Sequence, residues 1–331
     1  MMQIAETKAV PNSEMLEILV RLAREDEGVP DPTTLPPALA RKVADNVNRR
    51  WNQNLPAMHQ IDNVIFNCPE GHTVSARLFT PENPGNGLVL FIHGGGFSLC
   101  SIETHERSAR LLAEEAKCAV LSINYRLAPE HPYPAGLNDC ITAFRQINQV
   151  HTAYDWTFGP VAVAGDSSGA NLALALILHE QSKSHRSPDF AMLFYGVYGS
   201  DFETKSYREH ENGPGLTRDK MIRYFDWYAP MIVRDDPLIT LLNASDEALS
   251  ALPPLYLNAA EIDPLCSDTE NLAKRLHSLG RKDHVRIYRG VVHGFMQMTS
   301  CLSVARDATT EAAFAFRQLT GSTKTKGTRR I

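Results

Sequence analysis

The sequence predicts an α/β protein whose mostly parallel central sheet is flanked by helices and carries a helical cap. From about residue 61 onward, short apolar runs alternate with helix-forming segments, which is typical of parallel strands with helices packed on both faces. Residues 199–251 interrupt this alternation with a polar stretch punctuated by proline and glycine. Some fifty residues without a strand inside such a series indicate an insertion that covers the sheet.

The strands are predicted from short continuous apolar runs bounded by turn residues. They cover 63–67, 73–79, 88–92, 119–124, 161–164, 190–195, 254–260 and 285–288. The first two flank a turn at 68–71 and predict a hairpin. Helical periodicity or composition predicts helices over 12–24, 37–51, 104–117, 135–149, 170–180, 216–231, 267–279 and 303–320.

These elements divide the chain into four predicted segments. Residues 1–55 would form N-terminal cap helices, 56–198 the first part of the core, 199–251 the cap insertion and 252–331 the second part of the core. The N-terminal segment is assigned to the cap because it is helical and polar, unlike the strand-rich chain that follows.

Composition excludes several classes of protein. The net charge of −5 argues against nucleic-acid partners and anionic membrane surfaces. No stretch reaches the roughly 18 to 20 apolar residues that a membrane span needs. The six cysteines are scattered, and the N-terminus lacks the apolar run of a signal peptide. We therefore expect a cytoplasmic protein with reduced thiols.

The turn Gly165-Asp166-Ser167-Ser168-Gly169 lies between an apolar strand and a helix-forming run. This strand–turn–helix context is that of a nucleophile elbow, in which the central serine projects above the sheet edge. Glycines at both flanks allow strand and helix to approach closely. An ordinary βα turn is the alternative, since small residues cluster in many turns.

A second turn, His93-Gly94-Gly95-Gly96-Phe97, follows the strand at 88–92. Three glycines leave backbone amides bare, and bare amides beyond a strand suit the oxyanion that forms when a hydroxyl attacks a carbonyl. A phosphate-binding loop is disfavoured, because no Gly-Lys-Ser/Thr follows and no helix starts at these glycines. A purely structural turn stays open.

Asp263 and His293 each follow a predicted strand, at the sheet edge where open α/β folds bind their ligands. With Ser167, they occur in the chain order serine, acid, histidine. His293 would take the serine proton near neutral pH, and Asp263 would hold the imidazole in the required tautomer.

Neighbouring residues offer rival assignments. Glu261 and Asp268 flank the proposed acid, and we interpret both as surface carboxylates. His105 is expected to be a solvated residue of a helix or loop. No histidine pairs with a cysteine or an acid at metal-ligand spacing, so we expect no metal site.

Taken together, the motifs resemble those of the hormone-sensitive-lipase-like (group IV) esterase family of α/β-hydrolases. The matching stretches are His93 to Phe97, Asn124 to Glu130 with His131 to Ala135, Gly165 to Gly169, Asp263 to Leu265 and His293 to Phe295. The resemblance implies a triad of Ser167, Asp263 and His293. It also implies an oxyanion hole from the amides of Gly94, Gly95, Gly96 and Ser168, and a cap built from the N-terminus and the insertion. The sequence departs from the family at Ser168, where alanine is usual, and at Ala170, where glycine is common.

We therefore expect a serine carboxylic-ester hydrolase that works through an acyl-enzyme without metal or organic cofactor. Its substrates would be short- to medium-chain esters or small aromatic or secondary-metabolite esters. Five aromatic residues are candidates for the substrate pocket, or else ordinary core: Phe97, Phe225, Trp227, Tyr228 and Phe295. An acyltransferase or lactone-forming or lactone-opening enzyme could use the same triad, and a non-catalytic small-molecule receptor could use the same fold. Sheet-edge homodimers are common among proteins that resemble this one.

Overall fold

The computed structural model describes residues 9–154, 156 and 159–322. The ends of the first and last predicted segments, 1–8 and 323–331, therefore lie outside the described residues. The strands are β1 (Gln60–Asn67), β2 (Thr73–Thr80), β3 (Leu88–Ile92), β4 (Ala119–Asn124), β5 (Val161–Asp166), β6 (Phe190–Phe194), β7 (Leu255–Ile262) and β8 (His284–Val292). In this part of the chain they form one sheet in the order β1-β2-β4-β3-β5-β6-β7-β8. The pairs β1–β2 and β2–β4 are antiparallel and the other pairs are parallel, which confirms the mostly parallel sheet.

Helices cover both faces of this sheet. They are α1 (Ser13–Glu25), α2 (Pro37–Asn48), α3 (Glu106–Ala116), α4 (Ala135–Arg145), α5 (Ile147–Ala153), α6 (Ser168–Ser182), α7 (Lys205–Glu209), α8 (Arg218–Tyr228), α9 (Asp246–Ser250), α10 (Cys266–Ser278) and α11 (Ser303–Ser322). No helix in the described ranges is both long and apolar enough to cross a membrane.

Strand β5 shows how the two faces are filled. Its side chains alternate between them, as in any strand. Val161 and Val163 pack in the core that includes α4, α6 and α10, whereas Ala162 and Ala164 pack in the core that includes α1, α3 and α11. All four residues are fully buried, because parallel strands covered on both sides need apolar residues at every position.

One predicted helix is divided in the structure. The segment expected to be helical over 135–149 forms α4 and α5, which meet at Gln146. The backbone N–H of Gln146 donates to the Thr142 carbonyl at the end of α4, and its side-chain amide donates to the Asn67 carbonyl at 2.7 Å. The second contact ties the break to the β1–β2 hairpin. Neither proline nor glycine marks this point, so local sequence gave no sign of the break.

The two N-terminal helices contact different parts of the core. Helix α1 begins after Asn12, whose side chain accepts from the Met15 amide at 2.9 Å. It buries Met15 and Ile18 in the core that includes α11. Helix α2 lies beside the glycine turn, where Arg41 donates to the Ser98 carbonyl at 3.0 Å and pairs with Glu130.

An ion-pair cluster joins the ends of these helices. Arg50, in the short 3-10 turn after α2, pairs with Glu25 at 2.9 Å and also with Asp26. On the other side of α2, Arg223 of α8 lies 3.6 Å from Asp31. Helix α2 is therefore held by charged contacts as well as by the burial of Ala40 and Ala44, whereas α1 is attached mainly by buried apolar side chains.

Asp268 fixes the start of the insertion. Its Oδ2 atom accepts from the amides of Tyr198 and Gly199, both at 2.8 Å, where the chain leaves β6. The interpretation of Asp268 as a surface carboxylate is wrong, because the side chain is 1% exposed. Burial raises the pKa of Asp268 to about 7, although the two backbone N–H groups act in the opposite direction.

We predict that Asp268→Asn removes the loss of folding stability that occurs when this buried carboxyl group ionises. An unfolded aspartate has a pKa of about 3.9, so between about pH 4 and pH 7 the folded chain holds the extra proton. The contribution of Asp268 to stability is therefore fully present below about pH 4 and is lost as the pH rises through about 7. Asparagine keeps a carbonyl oxygen that can accept from both amides.

Urea unfolding of the two proteins at pH 4 to 8 checks this prediction. The free energy of unfolding of the variant, relative to that of the parent chain, should increase from pH 4 to about pH 7 and then level off. A difference that stays constant with pH would contradict the raised pKa of Asp268.

Candidate active site

Ser167 occupies a strained turn between β5 and α6. Its backbone has φ 54° and ψ −119°, a conformation that non-glycine residues rarely adopt. The flanking glycines are required sterically. A Cβ at Gly169 would overlap the carbonyl oxygen of Ile92, and a Cβ at Gly165 would overlap the carbonyl oxygen of Gly169. The turn thus has the geometry of the predicted elbow.

The structure brings the three predicted triad residues into one chain of hydrogen bonds. The Nε2 atom of His293 lies 3.0 Å from the Ser167 Oγ, and its Nδ1 atom lies 2.6 Å from the Asp263 Oδ2. Asp263 is fully buried, and its Oδ1 accepts from the Leu265 amide at 2.9 Å. A proton on Nδ1 would be held by the carboxylate, which leaves the Nε2 lone pair for the serine hydroxyl.

The glycine turn faces this elbow, and its first residue is already hydrogen-bonded on both sides. The Gly94 amide donates to the Asp166 Oδ1 at 2.9 Å, and its carbonyl is 2.8 Å from the His93 Nδ1. Among the described residues, the amides of Gly95 and Gly96 have no protein acceptor. The first glycine therefore braces the turn, and the next two leave their N–H groups free.

Ser168 contributes a free amide, while its side chain points away from solvent. It is the first residue of α6, where amides have no acceptor within the helix. The hydroxyl is fully buried. It lies beside the phenol of Tyr125, which donates to the His93 carbonyl at 3.0 Å. The departure from the family pattern at Ser168 thus lies in the packing beneath the turn.

A buried polar cluster supports the turn from below. The Nε2 atom of His105 lies 3.4 Å from the Asp166 Oδ2 and 2.7 Å from the Gln297 amide nitrogen, and its Nδ1 is 2.9 Å from the Thr104 hydroxyl. The expectation that His105 is solvated is wrong, since it is 1% exposed. It belongs to a 3-10 turn before α3 that directs the ring toward the end of β5.

The charges in this cluster are set by their surroundings. Burial disfavours ionisation of Asp166, but the facing His105 and the Gly94 amide outweigh it and hold the pKa of this carboxyl below its usual value. Burial, together with the nearby His105, lowers the pKa of the His93 imidazole to about 4. At neutral pH the turn therefore rests on an ionised Asp166 and a neutral His93.

The predicted pocket aromatics fall into three groups. Phe97 stacks on Tyr228 with ring centroids 3.7 Å apart and meets the edge of Phe225, and all three are buried. Phe295 lies in the opposite core layer, against Tyr195. Trp227 forms the third group and is only partly buried.

Sequence reasoning missed Tyr224, whose ring packs directly on Gly96. A Cβ on Gly96 would overlap three atoms of that ring. Gly96 also has φ 60°, which favours glycine. The sequence feature that could have pointed to Tyr224 is its position in α8, in the aromatic run that also contains Phe225 and Tyr228.

One group of potential metal ligands occurs among the described residues, and its chemistry does not favour a metal. Cys68, His72 and Asp139 offer ligand atoms within 4.8 Å of one another. However, the Arg126 guanidinium already contacts Asp139 at 2.8 Å. Burial and the nearby Asp139 raise the pKa of the Cys68 thiol, which disfavours the thiolate that a metal would need.

Comparison with known proteins agrees with this geometry. Residues 89–297 match the family model Abhydrolase_3, described as alpha/beta hydrolase fold. The chain is 32% identical to carboxylesterase NlhH of Mycobacterium tuberculosis over 249 residues, which cover 74% of this chain and 78% of that relative. It is 30% identical to an acetyl esterase of Salmonella typhi over 81% of this chain and 83% of that relative.

A solved structure of an ester-hydrolase from the metagenome of Lake Arreo, complexed with a derivative of bipyridine phosphonate, is similar over nearly its whole length. The TM-score is 0.86 at 31% identity, and the match covers 94% of this chain and 100% of the other. Since the family model spans more than half of the chain and both curated relatives match it over most of their length, the chain belongs to the Abhydrolase_3 family, the hormone-sensitive-lipase-like branch of the α/β-hydrolases.

Proposed function

We propose that the chain hydrolyses carboxylic esters through an acyl-enzyme on Ser167, with His293 as the base and Asp263 as its partner. The observation that carries this proposal is the continuous hydrogen-bonded series from the Asp263 carboxylate through the His293 ring to the Ser167 hydroxyl. Its relatives are named carboxylesterase and acetyl esterase. The chain is thus a carboxylesterase-type serine hydrolase.

Each proton has a defined place in this reaction. His293 accepts the Ser167 proton as Oγ bonds to the ester carbonyl carbon, and Asp263 stabilises the imidazolium. The imidazolium then donates that proton to the leaving alcohol as the ester C–O bond breaks. In the second half, His293 deprotonates a water that attacks the acyl-enzyme, and the proton returns to Ser167 as the acid leaves.

The oxyanion of both tetrahedral intermediates would be stabilised by the amides of Gly95, Gly96 and Ser168. These N–H groups have no acceptor within the described protein, so each is available to a developing negative charge. Gly94 was also predicted to donate, but its amide is hydrogen-bonded to Asp166. We propose that Gly94 instead holds the other two amides in place.

We propose that α2 and the insertion act as the cap that limits the substrate to short- or medium-chain esters or small aromatic or secondary-metabolite esters. Ser167 is only 7% exposed, which supports a covered site. Of the predicted pocket residues, Trp227 is partly buried and Phe97, Phe225 and Tyr228 are buried in the same core, whereas Phe295 lies in the other core layer. Transfer of the acyl group to another acceptor is not favoured by the relatives, which are named esterases.

We also propose a cytoplasmic location and a homodimer. All six cysteines are free, and four of them are buried, which suits a reducing compartment. At the sheet edge, β8 pairs only with β7 within the described residues and exposes Val285 and Ile287. A second copy could extend the sheet along this edge. Sedimentation of the purified chain distinguishes a dimer from a monomer.

We predict that Ser167→Ala abolishes ester hydrolysis while Ser168→Ala does not. Loss of the nucleophile should lower kcat by roughly 10⁴-fold or more, because no attacking oxygen remains on the enzyme. Ser168→Ala keeps the backbone amide and removes only a buried hydroxyl that lies beside the Tyr125 phenol, so kcat should stay within about threefold of the parent value. Hydrolysis of p-nitrophenyl acetate measures both variants.

Labelling by a fluorophosphonate probe provides the control for the same pair. The parent chain and Ser168→Ala should react, and Ser167→Ala should not. Retained turnover in Ser167→Ala together with loss in Ser168→Ala would reverse the assignment of the nucleophile. Failure of the folded parent chain to react would favour the non-catalytic receptor.

We predict a steep fall in kcat/KM with acyl-chain length beyond about eight carbons, because a covered site has limited room beside the nucleophile. A series of p-nitrophenyl esters from acetate to palmitate, kept below their solubility limits, measures this dependence. Flat activity out to palmitate would show that the cap does not restrict the acyl group.

A further inference from the structure

Tyr224 connects the insertion to the glycine turn at a single residue. The ring approaches Gly96 so closely that Cγ and both Cδ atoms occupy the space of a side chain at that position. The contact exists because residue 96 has no Cβ, so the ring fills the place that another residue would fill itself. The ring of Tyr224 therefore covers the glycine turn at Gly96.

The position of Gly96 relates this ring to the reaction centre. Gly96 is two residues from Gly94, which is bonded to Asp166 next to Ser167. Its own amide is one of the free N–H groups proposed to hold the oxyanion. For an ester whose carbonyl oxygen reached these amides, a substituent that lay along the turn would meet the ring that packs on Gly96.

The ring is held from its other sides. Tyr224 packs in a small apolar cluster with Ala40 and Ala44 of α2 and with Leu99. It also meets the edge of Trp227, with centroids 6.4 Å apart. Side chains of α2, of α8 itself and of the loop after the glycine turn thus pack around the ring, which stays partly exposed. The packed ring therefore limits the space beside Gly96.

We propose that Tyr224 is a specificity-determining residue that limits the size of the ester substituent lying against Gly96. This inference rests on the proposed ester hydrolysis and deepens it. Replacing the ring by a small side chain opens space along the turn, and a larger ring closes it. The phenol hydroxyl has no part in this role, because the contacts to Gly96 are made by ring carbons.

Four variants test the proposal: Tyr224→Ala, Tyr224→Leu, Tyr224→Phe and Tyr224→Trp. Each is assayed with two ester series, one that varies the acyl chain of p-nitrophenyl esters and one that varies the alcohol of acetate esters. Only one of the two series varies the substituent that lies against Gly96. In that series, Tyr224→Ala and Tyr224→Leu should raise kcat/KM for large relative to small substrates by roughly tenfold or more. Tyr224→Trp should lower that ratio, and Tyr224→Phe should leave it within about twofold.

Met221→Ala is the matched control, since it removes a buried side chain from the same helix without a described contact to the glycine turn. It should lower the melting temperature and leave the ratio unchanged. The proposal is overturned if folded Tyr224→Leu and Tyr224→Trp keep the parent ratio of kcat/KM for large to small substrates in both ester series. It is also overturned if kcat falls by the same factor for all substrates. If the parent chain hydrolyses no ester, the proposed function fails instead, and fluorophosphonate labelling of Ser167 identifies that case.

Discussion

The close packing of the elbow against the end of β3 is the constraint on which the site depends. Gly169 lies so near the carbonyls of Ile92 and His93 that a methyl group there would overlap them. The hydrogen bond from Gly94 to Asp166 joins the same two segments. Nucleophile and anion-binding amides therefore belong to one rigid unit formed by two neighbouring strands, and their separation does not depend on any flexible side chain. Such preorganisation lets dipoles stabilise a developing charge without first having to reorient.

Burying charge beneath this unit has a cost that the structure offsets locally. Asp166 has almost no contact with water, and an isolated carboxylate in such a place would be strongly destabilised. The His105 ring and the Gly94 amide compensate it. The same carboxylate both orients the turn and places negative charge near the proposed oxyanion. The contacts of this carboxylate with the His105 ring and the Gly94 amide therefore reduce a repulsion that would otherwise oppose the reaction.

Much of the fold, and the meeting of Ser167, Asp263 and His293 at one edge of the sheet, could be predicted because both depend on local sequence patterns. Apolar runs determine buried strands, and the glycines around Ser167 reflect a contact that only they permit. The failures involve residues whose environment is created by distant segments. Asp268 and His105 have ordinary local surroundings, yet both are buried by segments far along the chain. Likewise, nothing within the glycine turn indicates that its third residue is covered by an aromatic ring from α8.

The two N-terminal helices respond differently to solution conditions because they are attached by different forces. Helix α1 buries Met15 and Ile18, an interaction that added salt does not weaken. Helix α2, which confines the ring of α8, is joined through Arg41 and Arg50 to partly exposed carboxylates. Such ion pairs are screened over about 10 Å at 0.1 M ionic strength and more strongly above it. Added salt therefore weakens the charged part of the attachment of α2, while the buried contacts of α1 at Met15 and Ile18 and of α2 at Ala40 and Ala44 remain.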